Sequence, residues 1–199
     1  MRGLLLVAMM ALSASPVFAI PILTEGTDSY WAISGFTDSM GAKIVLENAA
    51  YAPDNVFGLY DKADPTNTLV VFLGADAVGA QRTVFVSSVS GGVKFTTVDP
   101  SPAIIDQKIF ADNSFGFYLT SPEGTFYSDT LLNSDNYDHM LAGVYIAGAD
   151  YQLNWEDQYG GGDHSYNNFV ANVQSVSPIP EPATLALLGL GGLLLRRRK

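Results

Sequence analysis

The chain has 199 residues, no cysteine and two histidines, and its 20 acids against 10 bases give a net charge of −10. Thiol catalysis, disulfide stapling and cysteine–metal sites are excluded, and a His-rich zinc centre lacks ligands. With no basic stripe and so acidic a balance, nucleic acid and anionic lipid are poor partners.

Met1-Arg2 supplies a short positive start, and Gly3 to Leu12 is almost wholly apolar. That run is too short to cross ~30 Å of hydrocarbon, which needs about 20 residues. Ser13-Ala14-Ser15-Pro16 then breaks any helix ahead of Val17-Phe18-Ala19. The pattern predicts a signal peptide over residues 1–19, cut after Ala19 by signal peptidase, and hence an exported protein.

The body, 20–176, is long enough for one domain with its own core. Between residues 20 and 178 lie 19 of the acids and five of the bases, a net −14. No amphipathic helix longer than two turns is legible. Short β-rich runs recur instead between Gly, Pro, Asp and Asn. They cover 30–34, 43–48, 55–60, 68–73, 82–87 and 92–97, then Phe110, 114–120, 125–128, 140–146, 151–156 and 168–174. Phe115, Phe117 and Leu119 alternate with Ser114, Gly116 and Tyr118, as in a strand with one buried face. The expectation is all-β: an antiparallel β-sandwich, jelly-roll-like, with Asp99-Pro100-Ser101-Pro102 as the crossover between sheets.

The most informative stretch is 151–174. Tyr151, Leu153 and Trp155 fall on one face, with Gln152, Asn154 and Glu156 on the other; Phe169, Ala171 and Val173 alternate likewise. Two strands of a hairpin follow, joined by Asp157 to Asn167, far longer than the usual two to five residues. Gly160-Gly161-Gly162 maximises chain entropy, which something must offset if the loop is ordered. Glu156, Asp157 and Asp163 flank the glycines, and Asn167 and Asn168 add amide oxygens. Hard oxygens on such a loop are a Ca²⁺ ligand set, and these five residues are the candidates. The competing reading is that Gly, Asp and Asn are simply turn formers. No EF-hand spacing is present. A second acidic run, Asn133 to Asp138, reads as a turn that could lend Asp135 or Asp138 to the same ion.

Trp155-Glu156-Asp157, Gly160-Gly161-Gly162-Asp163, Tyr166-Asn167 and Phe169-Val170 resemble the "WEDLPGGGDxDYNDFV" ending of the domain called DUF4114. Similar stretches stand at 56–61, 115–119, 127–128 and 138–139, so the resemblance runs across most of the body. It implies an exported bacterial β domain. Where that family shows Asp-x-Asp-Tyr-Asn-Asp, this chain has Asp163-His164-Ser165-Tyr166-Asn167-Asn168. Each replaced carboxylate lowers the charge available to an ion.

The end of the chain, 177–199, has three parts. Pro178 to Pro182 is stiff and extended. Residues 183–195 are uncharged and apolar, a hydrophobic helix of only ~20 Å at 1.5 Å per residue. Arg196 to Lys199 resist translocation and keep the C-terminus cytoplasmic. Ile179-Pro180-Glu181-Pro182-Ala183-Thr184-Leu185 (179–185), with that helix and basic end (196–199), resembles the PEP-CTERM sorting signal. The resemblance implies processing around Pro180, Glu181 and Pro182 by an exosortase-type enzyme in a Gram-negative bacterium. It implies a transient inner-membrane anchor, then the cell surface or an exopolysaccharide matrix.

No catalytic motif stands out. Asp163-His164-Ser165 has triad residue types, but adjacent positions cannot adopt triad geometry, and no carboxylate pair marks a glycosidase. The expectation is a non-catalytic exported protein sorted to the surface and stabilised by calcium. The alternative is a carbohydrate-binding module using Tyr30-Trp31, Tyr127, Tyr137 and Tyr159; a secreted glycan-active hydrolase comes third.

Overall fold

Alternating aromatic and β-branched residues bounded by Asx-, Gly- and Pro-rich turns build strands almost throughout. The structure, a computed structural model, describes residues 28–34, 38–48, 51–144 and 150–180. The expected signal peptide with its cleavage at Ala19, Glu181-Pro182 and the helix 183–195 lie outside the described residues. Among those described, no helix is long and apolar enough to cross a membrane.

Among the described residues, thirteen strands form two antiparallel sheets that pack as a sandwich, as the sequence suggested. One sheet contains β1 (Trp31–Ile33), β3 (Val56–Asp61), β4 (Asp64–Leu73), β8 (Ser114–Ser121), β9 (Gly124–Tyr127) and β13 (Val176–Pro178). Its order is β13-β1-β8-β3-β4, with β9 also paired to β8. The other contains β2 (Ser39–Glu47), β5 (Gln81–Val89), β6 (Gly92–Val98), β7 (Ile104–Phe110), β10 (Met140–Val144), β11 (Tyr151–Trp155) and β12 (Phe169–Gln174). Its order is β10-β11-β12-β2-β5-β6-β7.

The inner faces meet on a largely aromatic core. Phe57 stacks between Phe117 and Phe169, and Trp31 meets Phe117 and Tyr151 edge-on. Phe115, Phe117 and Leu119 are fully buried, as their alternation predicted. The opposite face of β8 is covered too. Gly116 lies under the Tyr60 ring and Gly58 under Tyr118; a Cβ at Gly116 would sit 2.1 Å from Tyr60, which keeps the position glycine. At one side the edge strands β4 and β7 are tied by Asn67 Nδ2 donating to the Ile109 carbonyl (2.8 Å) and Val70 N–H to Asp106 (3.0 Å). That tie protects backbone groups an open edge would expose.

Three local expectations need correction. Asp99 to Pro102 does not cross between sheets: β6 and β7 are antiparallel neighbours in one sheet. Asp99 folds the connection back, accepting from Ser101 N–H and Oγ at 2.9 and 2.7 Å. The midpoint crossing comes after β7, at 111–113, one of several passages between the sheets. Glu156 does not continue the outward row of Gln152 and Asn154; β11 ends at Trp155, the chain turns, and Glu156 is fully buried. Finally, β13 carries the sheet to Pro178, pairing with β1 two residues past the expected end of the body.

Candidate functional site

The loop between β11 and β12 is ordered by a dense set of contacts at one end of the sandwich. Its conformation is written in left-handed backbone. Gly160, Gly161 and Gly162 have φ of 68°, 83° and 45°, and His164 and Tyr166 follow at 58° and 47°. The three glycines therefore serve a fixed shape that side chains would oppose. A Cβ at Gly161 would lie 2.3 Å from the Tyr137 ring, and one at Gly162 2.9 Å from Glu156 Oε1. The two non-glycine residues hold positions of a kind that costs roughly 1–3 kcal/mol each and collects at functional sites.

Asp157 is the clamp. Fully buried, its carboxylate accepts Asn168 Nδ2 at 2.6 Å and Asn55 Nδ2 at 3.1 Å, while its carbonyl accepts Ser121 Oγ at 2.7 Å. Asn168 leads into β12 of one sheet; Asn55 and Ser121 belong to the other. One carboxylate thus pins the loop across the end of both sheets. Of the five expected ligands, Asp157 faces inward into this network.

Glu156 and Asp163 are brought together. Asp163 is held below the usual carboxylate range by the Ser165 hydroxyl and also engages the Glu156 carboxyl. Burial pushes Glu156 up, and the charges of Asp163 and Asp157 add to it. Glu156 Oε1 accepts Gln158 N–H at 3.2 Å. Asn167 and Asn168 meet through Ser165, whose hydroxyl lies 2.8 Å from Asn167 Oδ1 and 3.1 Å from Asn168 Oδ1.

The 133–138 run is more than a turn. Asp135 Oδ2 takes Gly160 N–H at 2.7 Å and lies 2.9 Å from His139 Nε2, while His139 Nδ1 lies 2.9 Å from the Glu156 carbonyl. Burial works against charge on Asp135, but the Gly160 N–H and the His139 ring hold its carboxyl below the ordinary value. His139 is fully buried and stacked on Phe126 with centroids 3.8 Å apart. Tyr166 donates to the Asp138 carbonyl at 2.6 Å, and Tyr137 lies 2.7 Å from His164 Nδ1. From the far side Glu123 accepts Tyr51 Oη and Tyr159 N–H, both at 2.7 Å.

Sequence reasoning missed Asn55, Ser121, Glu123 and His139, whose contacts to the 156–159 segment span 17 to 102 residues. The buried Asn55 and His139 carried the only signal, polar residues beside apolar runs. Of the sorting residues, Pro180 follows β13 and Glu181-Pro182 lie beyond the described residues.

Residues 178–199 match the PEP-CTERM protein-sorting motif. The motif indicates an exported protein, anchored transiently in the membrane and processed there by exosortase, a membrane enzyme. No curated protein and no solved structure matches the chain.

Proposed function

We propose that this is a non-catalytic module of a Gram-negative cell, released from its leader at Ala19, cut at the tail and displayed on the surface or in the exopolysaccharide matrix. The observation that carries it is the sorting motif at 178–199, which starts where β13 ends. The DUF4114-like pattern adds an exported β domain to the same reading, and the apolar helix 183–195 supplies the temporary membrane anchor. Calcium enters as the stabilising ion of the 156–168 loop. The non-catalytic part of the reading rests on the sequence, where adjacent Asp163-His164-Ser165 cannot adopt triad geometry. Fractionation of cells expressing the intact chain and Glu181→Ala is the test. The intact protein should leave the inner membrane in shortened form while the variant stays uncut. Identical partitioning overturns the reading.

One face favours polysaccharide binding as a second reading. Of the aromatics first considered, Trp31 is in the core, Tyr30 and Tyr127 pack on Tyr60, Tyr137 lies within the loop network, and Tyr159 is exposed. By register, the outward positions of the seven-stranded sheet hold no carboxylate. Lys43 and Lys94 stand there among Gln152, Asn172, Thr96 and the half-exposed Phe85. In a body of net −14 this is where an acidic polysaccharide meets amides, an apolar ring and positive charge without repulsion. Affinity electrophoresis in polyuronate gels should show retardation that Phe85→Ala and Lys94→Ala weaken. Unretarded migration rejects this second reading.

A further inference from the structure

Glu156 is the anomaly of the loop. It is fully buried, yet its Oε2 has no hydrogen-bond partner. Among the described residues the ion pairs join Arg82 to Asp76 and Asp99, and His139 to Asp135, so no cation answers Glu156. Its neighbour is another carboxyl, that of Asp163. Backbone N–H groups serve the rest of the pair, Gln158 to Glu156 Oε1 and Ser165 to Asp163, so it is Oε2 that needs a shared proton or a cation. The turn beside the pair is close-packed: a Cβ at Gly162 would lie 2.6 Å from Gln158 Oε1, 2.8 Å from Gln158 Cβ and 2.9 Å from Glu156 Oε1.

We infer that Glu156 and Asp163 bind a divalent cation, that the ion is Ca²⁺, and that Asp157 is not among its ligands. No three of His, Cys, Asp and Glu lie close enough together to hold a metal among the described residues. The shell therefore has two carboxylates and is completed by neutral oxygens, with Ser165, Asn167 and Asn168 adjacent in the same loop. An all-oxygen set of low charge suits Ca²⁺, which accepts six to eight oxygens in loose geometry, better than Mg²⁺, which demands a tight octahedron. Low ligand charge also sets the affinity. The dissociation constant should be roughly 0.1–1 mM, as for extracellular calcium modules. This inference rests on the protein being displayed outside the cell, but its test does not involve sorting.

Thermal melts of the purified full chain in mild detergent, titrated with CaCl₂ after EDTA treatment, decide the matter. Expected is a rise in Tm with its midpoint at roughly 0.1–1 mM. The rise should be absent in Glu156→Gln and small with MgCl₂. Asp157→Asn should lower Tm while keeping the calcium increment. Three results overturn the inference: no calcium response, an unchanged response in Glu156→Gln, or an equal response to Mg²⁺, which would reflect general screening of an acidic surface. Should Glu156→Gln fail to fold, Asp163→Asn, on the exposed side of the pair, replaces it with the same expected loss.

Discussion

Exchanging Asp157 for alanine removes a carboxylate that joins the loop to residues of both sheets. The amides of Asn55 and Asn168, both buried, would lose their acceptors. A buried donor left unsatisfied costs about 1–3 kcal/mol, so two cost about 2–6 kcal/mol. Part is returned because a buried charge with no cationic partner is also removed, leaving a net loss of about 2–4 kcal/mol. For a chain of this size each kcal/mol moves Tm by roughly 2–4 °C, so the drop should be roughly 5–15 °C by calorimetry. A double-mutant cycle locates the energy: coupling should be larger to Asn168, at 2.6 Å, than to Asn55, at 3.1 Å. Asp157→Ala as stable as the parent would refute the clamp, showing that burial of the ion costs as much as its hydrogen bonds return.

Gly161→Ala should cost about 2–4 kcal/mol, from its φ of 83° and from displacement of the Tyr137 ring, read as a lowered denaturant midpoint; a neutral result would contradict the fixed loop shape. Burial, then the charges of Asp76 and Asp157, raise Glu47 from 4.5 to about 7. The folded state thus holds a proton that the unfolded chain releases, so stability should fall as pH rises from 4.5 to 7 and level off above. The full shift corresponds to roughly 3 kcal/mol, reduced to about 1–2 kcal/mol by solvent around a partly exposed group. Glu47→Gln should gain that amount at pH 8 and flatten the profile; an unaltered pH slope would show that other groups dominate.

What could be seen in the residues alone depended on locality. The hairpin 151–174 was legible because Tyr151, Leu153, Trp155, Phe169, Ala171 and Val173 obey a strict period of two, and all face the core. β7 was not, since Ile104-Ile105-Asp106-Gln107-Lys108-Ile109-Phe110 belongs to an edge strand whose exposed isoleucines blur the alternation. β13 was hidden by being three residues long and ending in proline, a strand only because β1 offers it an edge. At the site, composition singled out the 157–167 connection, which the structure shows as a closely hydrogen-bonded loop. It could not sort neighbouring acids, because Glu156 and Asp157 differ only in where the chain turns after Trp155. It raised Asp135 as a residue that could join this loop, but did not show that it would do so by accepting Gly160 N–H across 25 residues, a contact that exists only once the sheets have assembled.

The last strand has a mechanical consequence. A tether drawn tight at Pro180 first loads the Ile179 N–H to Tyr30 carbonyl bond, 2.7 Å long, and then the three residue pairs of β13 with β1. Such a short ribbon peels bond by bond. Tension at the membrane would strip the edge of one sheet before it reached β12 and the loop held by Asp157. The tail is joined to the sandwich by a seam that can open without the fold coming apart.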